Sequence, residues 1–130
     1  MAERVLFVTG SRTLATADDR AFVAAVLDRF TARRHVDTLV HGGANGVDMH
    51  AHAWAQARSI PVRVVRPQHR RWSVRRYPAQ AYTLRDCALV DEADWVVAVW
   101  DGHSAGTQRA VAYANEQGKL AVLHRRAIHD

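Results

Sequence analysis

The 130-residue sequence is most informative where residues are missing. It has one cysteine, Cys87, so no internal disulfide can form, which fits a reducing, cytoplasmic setting. No apolar run approaches the ~18 residues of a membrane span. Met1-Ala2-Glu3-Arg4 leads directly into the short apolar run Val5–Val8, too brief for the core of a signal peptide. There is no internal repeat, low-complexity tract or linker. Lys119 is the only lysine, and the positive charge is carried by arginine. Between residues 49 and 85 there is no acidic residue at all, although eight arginines (58, 63, 66, 70, 71, 75, 76 and 85) lie there. The chain before residue 49 is balanced and the chain after 85 is net acidic, so the formal +5 resides in the middle. An arginine block without counter-charge suggests an anionic partner, either nucleic acid or a phosphorylated small molecule. A solvated arginine-rich surface is the alternative.

What is present is an ordinary globular balance, 48% apolar and 24% charged, in a length suited to one domain. Apolar runs alternate with stretches of helical spacing. Val5–Val8 reads as a buried strand stopped by Thr9-Gly10-Ser11. Thr16 reads as an N-cap for a helix over 17–34, with apolar residues at 22, 23, 26, 27 and 30. A strand at 36–40 is followed by a helix at 47–58 whose Ala51, Trp54 and Ala57 face inward. A strand at 61–65, an irregular stretch at 67–79 and a helix at 79–92 come next. The continuous run Trp95–Trp100 predicts a strand buried on both faces. A loop at 101–106, a helix over 106–117 and a strand at 120–123 complete the chain. This order predicts an α/β fold: a Rossmann-like doubly wound parallel sheet of about five strands with helices on both faces. Ligands of such sheets bind at the carboxyl ends of the strands, where the winding reverses.

Three loops fall at those ends. Thr9-Gly10-Ser11-Arg12 offers a tight turn, a hydroxyl and a guanidinium. His41-Gly42-Gly43-Ala44-Asn45-Gly46-Val47-Asp48 leaves backbone N–H groups at a helix N-terminus, an anion site by geometry and dipole. It is neither the G-x-G-x-x-G fingerprint nor a P-loop, and Asp48 either meets ribose hydroxyls or orders the loop. In Asp101-Gly102-His103-Ser104-Ala105-Gly106-Thr107, Ser104 is placed to cap a helix whose Gly106 and Thr107 N–H groups would face a phosphate. The same string fits a G-x-S-x-G nucleophile elbow, but only Glu116 followed by His124 or His129 remains to complete a triad. His50 and His52 are two apart on a helix and no HxxxH string occurs, so no metal and no cofactor is expected.

The strings VLFVTGSR (5–12), HGGANGVD (41–48) and WDGHSAGT (100–107) together resemble the SLOG superfamily, and within it the single-domain YspA-like, cpYpsA-related family. The resemblance spans about residues 4 to 124. It implies one Rossmann-like nucleotide-binding domain over 1–130, a sensor or binding module for a nucleotide or nucleotide-derived phosphorylated ligand. Its implied ligand-binding residues are Gly10, Ser11, Arg12, Gly42, Gly43, Gly46, Asp48, Arg85, Ser104, Gly106 and Thr107, with Arg70, Arg71 and Trp72 as a lid. The chain is also similar to cytokinin-activating phosphoribohydrolases, which cleave the N-glycosidic bond of nucleoside 5′-monophosphates. Arg85 and Ser104–Thr107 match their pattern, but the glutamate position is Ala110 and their Pro-Gly pair is Gly102-His103. If the chain is an enzyme, it is a hydrolase of that type, with Arg85 and Asp48 as catalytic candidates. Asp86 and Asp101 are the other nearby acids. Gly42, Gly46, Asp48, Ala51 and His52 also match the Rossmann core of DNA-processing protein A, which implies a second alternative, single-stranded nucleic-acid binding by the arginine block with Trp72 and Tyr77. Related families pair with themselves, so a homo-oligomer is expected, with the helix face around Ala51 and Trp54 as its contact.

Overall fold

The computed structural model describes residues 2–67 and 78–128. The elements run β1 (Val5–Gly10), α1 (Ala17–Thr31), β2 (Thr38–His41), α2 (Val47–Ala57), β3 (Val62–Val64), α3 (Pro78–Glu92), β4 (Trp95–Trp100), α4 (Ala105–Glu116) and β5 (Leu120–Arg125). The strands form one parallel sheet in the order β3-β2-β1-β4-β5, the doubly wound arrangement expected from the alternation of elements. The winding reverses between β1 and β4, which pair along Leu6–Gly10 and Trp95–Val99. That switch point sets where a ligand can sit.

Side-chain alternation along β1 divides the interior into two layers. Leu6 and Val8 pack with Leu39, Val97 and Val99 against Val23, Leu27 and Phe30 of α1 and Ala51 and Trp54 of α2. Val5 and Phe7 pack with Val40 and Val96 against Leu89 and Val90 of α3 and Ala114 of α4. Each fully buried side chain of this size contributes about 2 kcal/mol. β4 is buried on both faces from Val96 to Val99, as its apolar run requires.

The element ends differ from the expectations by a few residues, for local reasons. The Thr16 hydroxyl accepts the Asp19 N–H while the Asp19 carboxylate accepts the Thr16 N–H, a reciprocal cap that starts α1 where expected. α1 stops at Thr31 rather than 34: the Arg34 N–H turns to Thr31 O, and the Arg34 side chain donates to Phe30 O in its place. β2 begins at Thr38 rather than 36, since the Asp37 and Thr38 N–H groups both bond Arg4 O at the sheet margin. It extends to the fully buried His41. β3 is only three residues long, and Pro61 contributes a carbonyl, accepting from Leu39, but has no N–H to give. β5 continues past 123 to Arg125, beyond which the Arg126 N–H donates to Trp100 O.

Two expectations about α2 are corrected. Ala57 is exposed and Ala55 is buried in its place, because the inward stripe follows 51, 54 and 55. The face around Ala51 and Trp54 is not a free surface for self-association. Both residues are buried within this chain, and the Trp54 indole N–H donates to Asp28 of α1 at 2.9 Å. Among the described residues no helix is long and apolar enough to cross a membrane.

Candidate functional site

The loops after β1, β2 and β4 meet at the carboxyl end of the sheet, and buried polar bonds lock them together. Ser11 is fully buried. Its N–H donates to Val99 O, and its hydroxyl accepts the Asp101 N–H at 2.9 Å. The serine thus sews the β1 loop to the β4 loop. Gly46, at φ +78°, lies against the same turn, where an added Cβ would stand 2.5 Å from Ser11 O. Only glycine fits both that backbone conformation and that approach.

Asp101 organises the third loop. Its carboxylate accepts from the Thr13 hydroxyl (2.7 Å), the His103 N–H (2.8 Å), the Ser104 N–H (2.8 Å) and the Ser104 hydroxyl (2.9 Å). Burial alone would favour the neutral acid. The donors outweigh it and hold Asp101 well below the usual carboxylate range. Ser104 occupies the N-cap position of α4, but its hydroxyl is turned to Asp101 and makes no cap bond. The first backbone bond of α4 runs from Gln108 N–H to Ser104 O, so the N–H groups of Ala105, Gly106 and Thr107 precede the helical ladder. The nucleophile elbow does not assemble. Glu116 lies at the far end of α4, ~18 Å of helix from Ser104. His124 packs edge-on against Phe22, and His129 lies outside the described residues.

Asp48, in the first turn of α2, is buried and accepts the Gly42 and Ala44 N–H groups, each at 3.2 Å. It therefore orders the glycine loop. Arg85 of α3 bonds the same loop from the other side, donating through Nη1 to Gly42 O (3.0 Å) and through Nε to Asp86 (2.9 Å). A Cβ at Gly42 would stand 2.6 Å from the Arg85 guanidinium, so a larger residue there would displace that side chain. Behind the loop, the Gly43 N–H donates to Nδ1 of His41, which places the His41 proton on Nε2, facing His52 Nδ1 at 2.9 Å. Burial, then the charges of His52, Arg66 and Arg85, push His41 down to about 4, so this histidine is neutral. Burial pushes Asp48 the other way, up to about 7, only partly offset by the Ala44 N–H and Arg85. Asp86 is also raised by burial, with Arg85 and Arg109 opposing.

The Asp48 shift has a measurable consequence. Between about pH 4 and 7 the folded state keeps a proton that the unfolded chain releases, so Asp48 lowers stability as pH rises through that window. Asp48→Asn keeps an acceptor for the loop but cannot ionise. Relative to wild type, it should gain about 1–3 kcal/mol between pH 5 and pH 8, measured by chemical unfolding at both values. The difference between the two proteins is the proper readout, because His41 slopes the opposite way and is common to both.

Between these loops lies a cleft of about 460 Å³ that opens at the β1–β4 switch point. Of the expected binding residues, Gly10, Ser11, Arg12, Asp48, Arg85, Ser104, Gly106 and Thr107 line it. Gly42, Gly43 and Gly46 do not: they pack against Arg85, Arg66 and the Ser11–Arg12 backbone, and act as the frame. Thr9 and Ala44 of the expected loops and Asp86, named above only as a nearby acid, also line the cleft, together with Thr13, Tyr82 and Arg109, which were missed. Positions 82, 85 and 86 form one helical face of α3, and 106 and 109 are a turn apart on α4, so helical spacing from Arg85 and Gly106 could have found three of them. Ala110 is buried and does not line the cleft, so the phosphoribohydrolase glutamate position supplies no carboxylate here. Arg70, Arg71 and Trp72, the expected lid, lie outside the described residues, as does Tyr77. Among the described residues no group of three metal-ligating side chains occurs.

Among the described residues, three arginines of the block have counter-charges drawn from outside its own stretch of chain. Arg58 pairs with Asp28 and Arg63 with Glu92, while Arg85 pairs with Asp86. At the cleft, by contrast, Arg12 and Arg109 are exposed and form no ion pair among the described residues.

Comparison with known proteins adds two findings. The model of a family described as "YspA, cpYpsA-related SLOG family" matches residues 4–72, just over half of the chain. The structure of Moco Carrier Protein from Chlamydomonas reinhardtii has a similar fold, with a TM-score of 0.61 at 20% sequence identity, covering 96% of this chain and 78% of that one. No curated protein matches the chain.

Proposed function

We propose that this chain, which belongs to the YspA, cpYpsA-related SLOG family, binds a nucleotide or nucleotide-derived phosphorylated ligand in the switch-point cleft. The observation that carries the reading is one of charge and geometry. The open N-terminus of α4 faces a cleft that receives guanidiniums from three separate elements, Arg12 after β1, Arg85 on α3 and Arg109 on α4. Unsatisfied N–H groups and the helix dipole favour an anion at that end, and guanidiniums match phosphoryl oxygens. Gly106 and Thr107 would donate to the phosphate, Arg12, Arg85 and Arg109 would neutralise it, and Asp48 would hold the neighbouring loop in shape. The structurally similar protein is by title a Moco carrier, a precedent for a carried small molecule on this fold.

Binding is favoured over N-glycosidic hydrolysis because Ala110 stands where the hydrolases place their glutamate. It is favoured over a single-strand nucleic-acid footprint because Arg58 and Arg63 are engaged within the fold. Calorimetry against nucleoside mono- and diphosphates, ADP-ribose, NAD and Moco tests the reading. Saturable binding to at least one, with weak salt dependence, is expected. Failure of every ligand, or a steep salt dependence toward single-stranded DNA alone, would overturn it.

Gly106 provides a clean probe. No atom lies within 4 Å of where its Cβ would be, so Gly106→Ala should fold normally and gain up to about 1 kcal/mol in helix propensity. Its methyl would stand at the phosphate seat, and the expected result is an affinity loss of about fivefold or more with an undiminished melting temperature.

A further inference from the structure

Tyr82 is the only aromatic ring among the described residues lining the cleft, and two guanidiniums lean on it. Arg12 lies 5.6 Å and Arg85 5.4 Å from the ring centroid. The two arginines come from different elements, one from the turn after β1 and the other from α3, one helical turn beyond Tyr82 itself. Arg85 is further fixed by Asp86 and Gly42 O. Arg12 is exposed, and among the described residues no carboxylate holds it. A long exposed side chain would otherwise sample many rotamers, and two like charges brought to one ring repel. A ring face attracts a cation, and here it does so for both.

We infer that Tyr82 is a positioning residue whose ring holds the Arg12 and Arg85 guanidiniums together as a preformed receptor for a tetrahedral phosphoryl group. This deepens the proposed function and rests on it. The ring acts through the arginines and touches the phosphate through neither its edge nor its hydroxyl. Its contribution is therefore the same whatever the phosphate is attached to. Tyr82→Phe keeps the π face, and Tyr82→Leu keeps much of the bulk without it.

The test titrates inorganic phosphate and a nucleoside monophosphate into wild type, Tyr82→Phe, Tyr82→Leu, Arg12→Ala and the Arg12→Ala/Tyr82→Leu double variant, each with its melting temperature. Tyr82→Phe should bind within about twofold of wild type, while Tyr82→Leu should weaken both ligands alike by about 5–10-fold at a nearly unchanged melting temperature. The double variant should lose less than the two single losses added together, since the ring acts in part through Arg12. A loss confined to the nucleotide would make Tyr82 a base-stacking surface and overturn the inference. So would additive losses, or full binding by Tyr82→Leu. If wild type binds neither ligand, the proposed function fails, and the ring's grip is decided separately by NMR of the arginine Nε–H groups. Ring-current shifts of Arg12 and Arg85 present in wild type and Tyr82→Phe but lost in Tyr82→Leu would uphold it. Equal shifts in all three would refute it.

Discussion

Asp101→Ala lowers the unfolding free energy by about 3–4 kcal/mol, a drop in melting temperature of roughly 10 °C. Asp101 is 5% exposed, and its carboxylate accepts four hydrogen bonds, two from backbone N–H groups of its own loop and two from hydroxyls. Alanine leaves the His103 and Ser104 N–H groups and the Thr13 hydroxyl without their acceptor, and the cost is that of several part-buried donors released together. Because the Asp101 N–H is itself bonded to Ser11, the damage reaches the β1 turn, so ligand affinity should fall with stability. The donors hold the folded-state pKa of Asp101 below its unfolded value. Its stabilisation is therefore complete above the ordinary carboxylate range and is lost as pH falls through the folded value. Acid titration of wild type against Asp101→Ala should show the two stabilities converging below about pH 4.

The second large effect is on the ligand. Arg85→Ala should weaken phosphoryl binding about 100-fold, the usual scale for removing a charged, part-buried partner of a bound anion. Only 11% of the Arg85 side chain is exposed, and it lies between Asp86 and the Gly42 carbonyl, so it is pre-ordered rather than recruited. Its removal also leaves Asp86, itself largely buried, without its cation. Stability should therefore drop too, and Arg85→Ala/Asp86→Ala separates the effects. The double variant should recover much of the lost stability while the affinity loss persists. Recovery of binding in that double variant would mean Arg85 acts only as a counter-ion to Asp86.

The α/β alternation, the parallel sheet and the three strand-end loops were legible because each rests on local patterns: apolar runs, helical spacing and glycines at strand exits. The Thr16 N-cap was readable for the same reason, while its reciprocal bond with Asp19 emerges only in the structure. Less legible were matters decided by tertiary partners. Ser104 sits where an N-cap belongs, but a buried carboxylate three residues earlier takes its hydroxyl. Ser11 looks like a ligand hydroxyl and is instead a bond between two loops. Arg58 and Arg63 of the arginine block look unpartnered in the sequence because their acids, Asp28 and Glu92, lie outside it in sequence and beside them in space. Tyr82 and Arg109 enter the cleft only once α3 and α4 pack on the same side of the sheet. Charge arithmetic over a stretch of chain cannot see that.

The central claim is the seat of the phosphate, and a backbone amide titration followed by ¹H–¹⁵N NMR tests it most directly. Titrating a nucleoside monophosphate that binds by calorimetry, the account predicts the largest shifts at Gly106 and Thr107, followed by the Gly10–Thr13 turn, and none at the hollow around Arg4, His35 and Asp37 on the opposite end of the sheet. Saturable binding that leaves Gly106 and Thr107 unmoved, with its shifts at that opposite end or in the hollow beside His103 and Arg125, would contradict it.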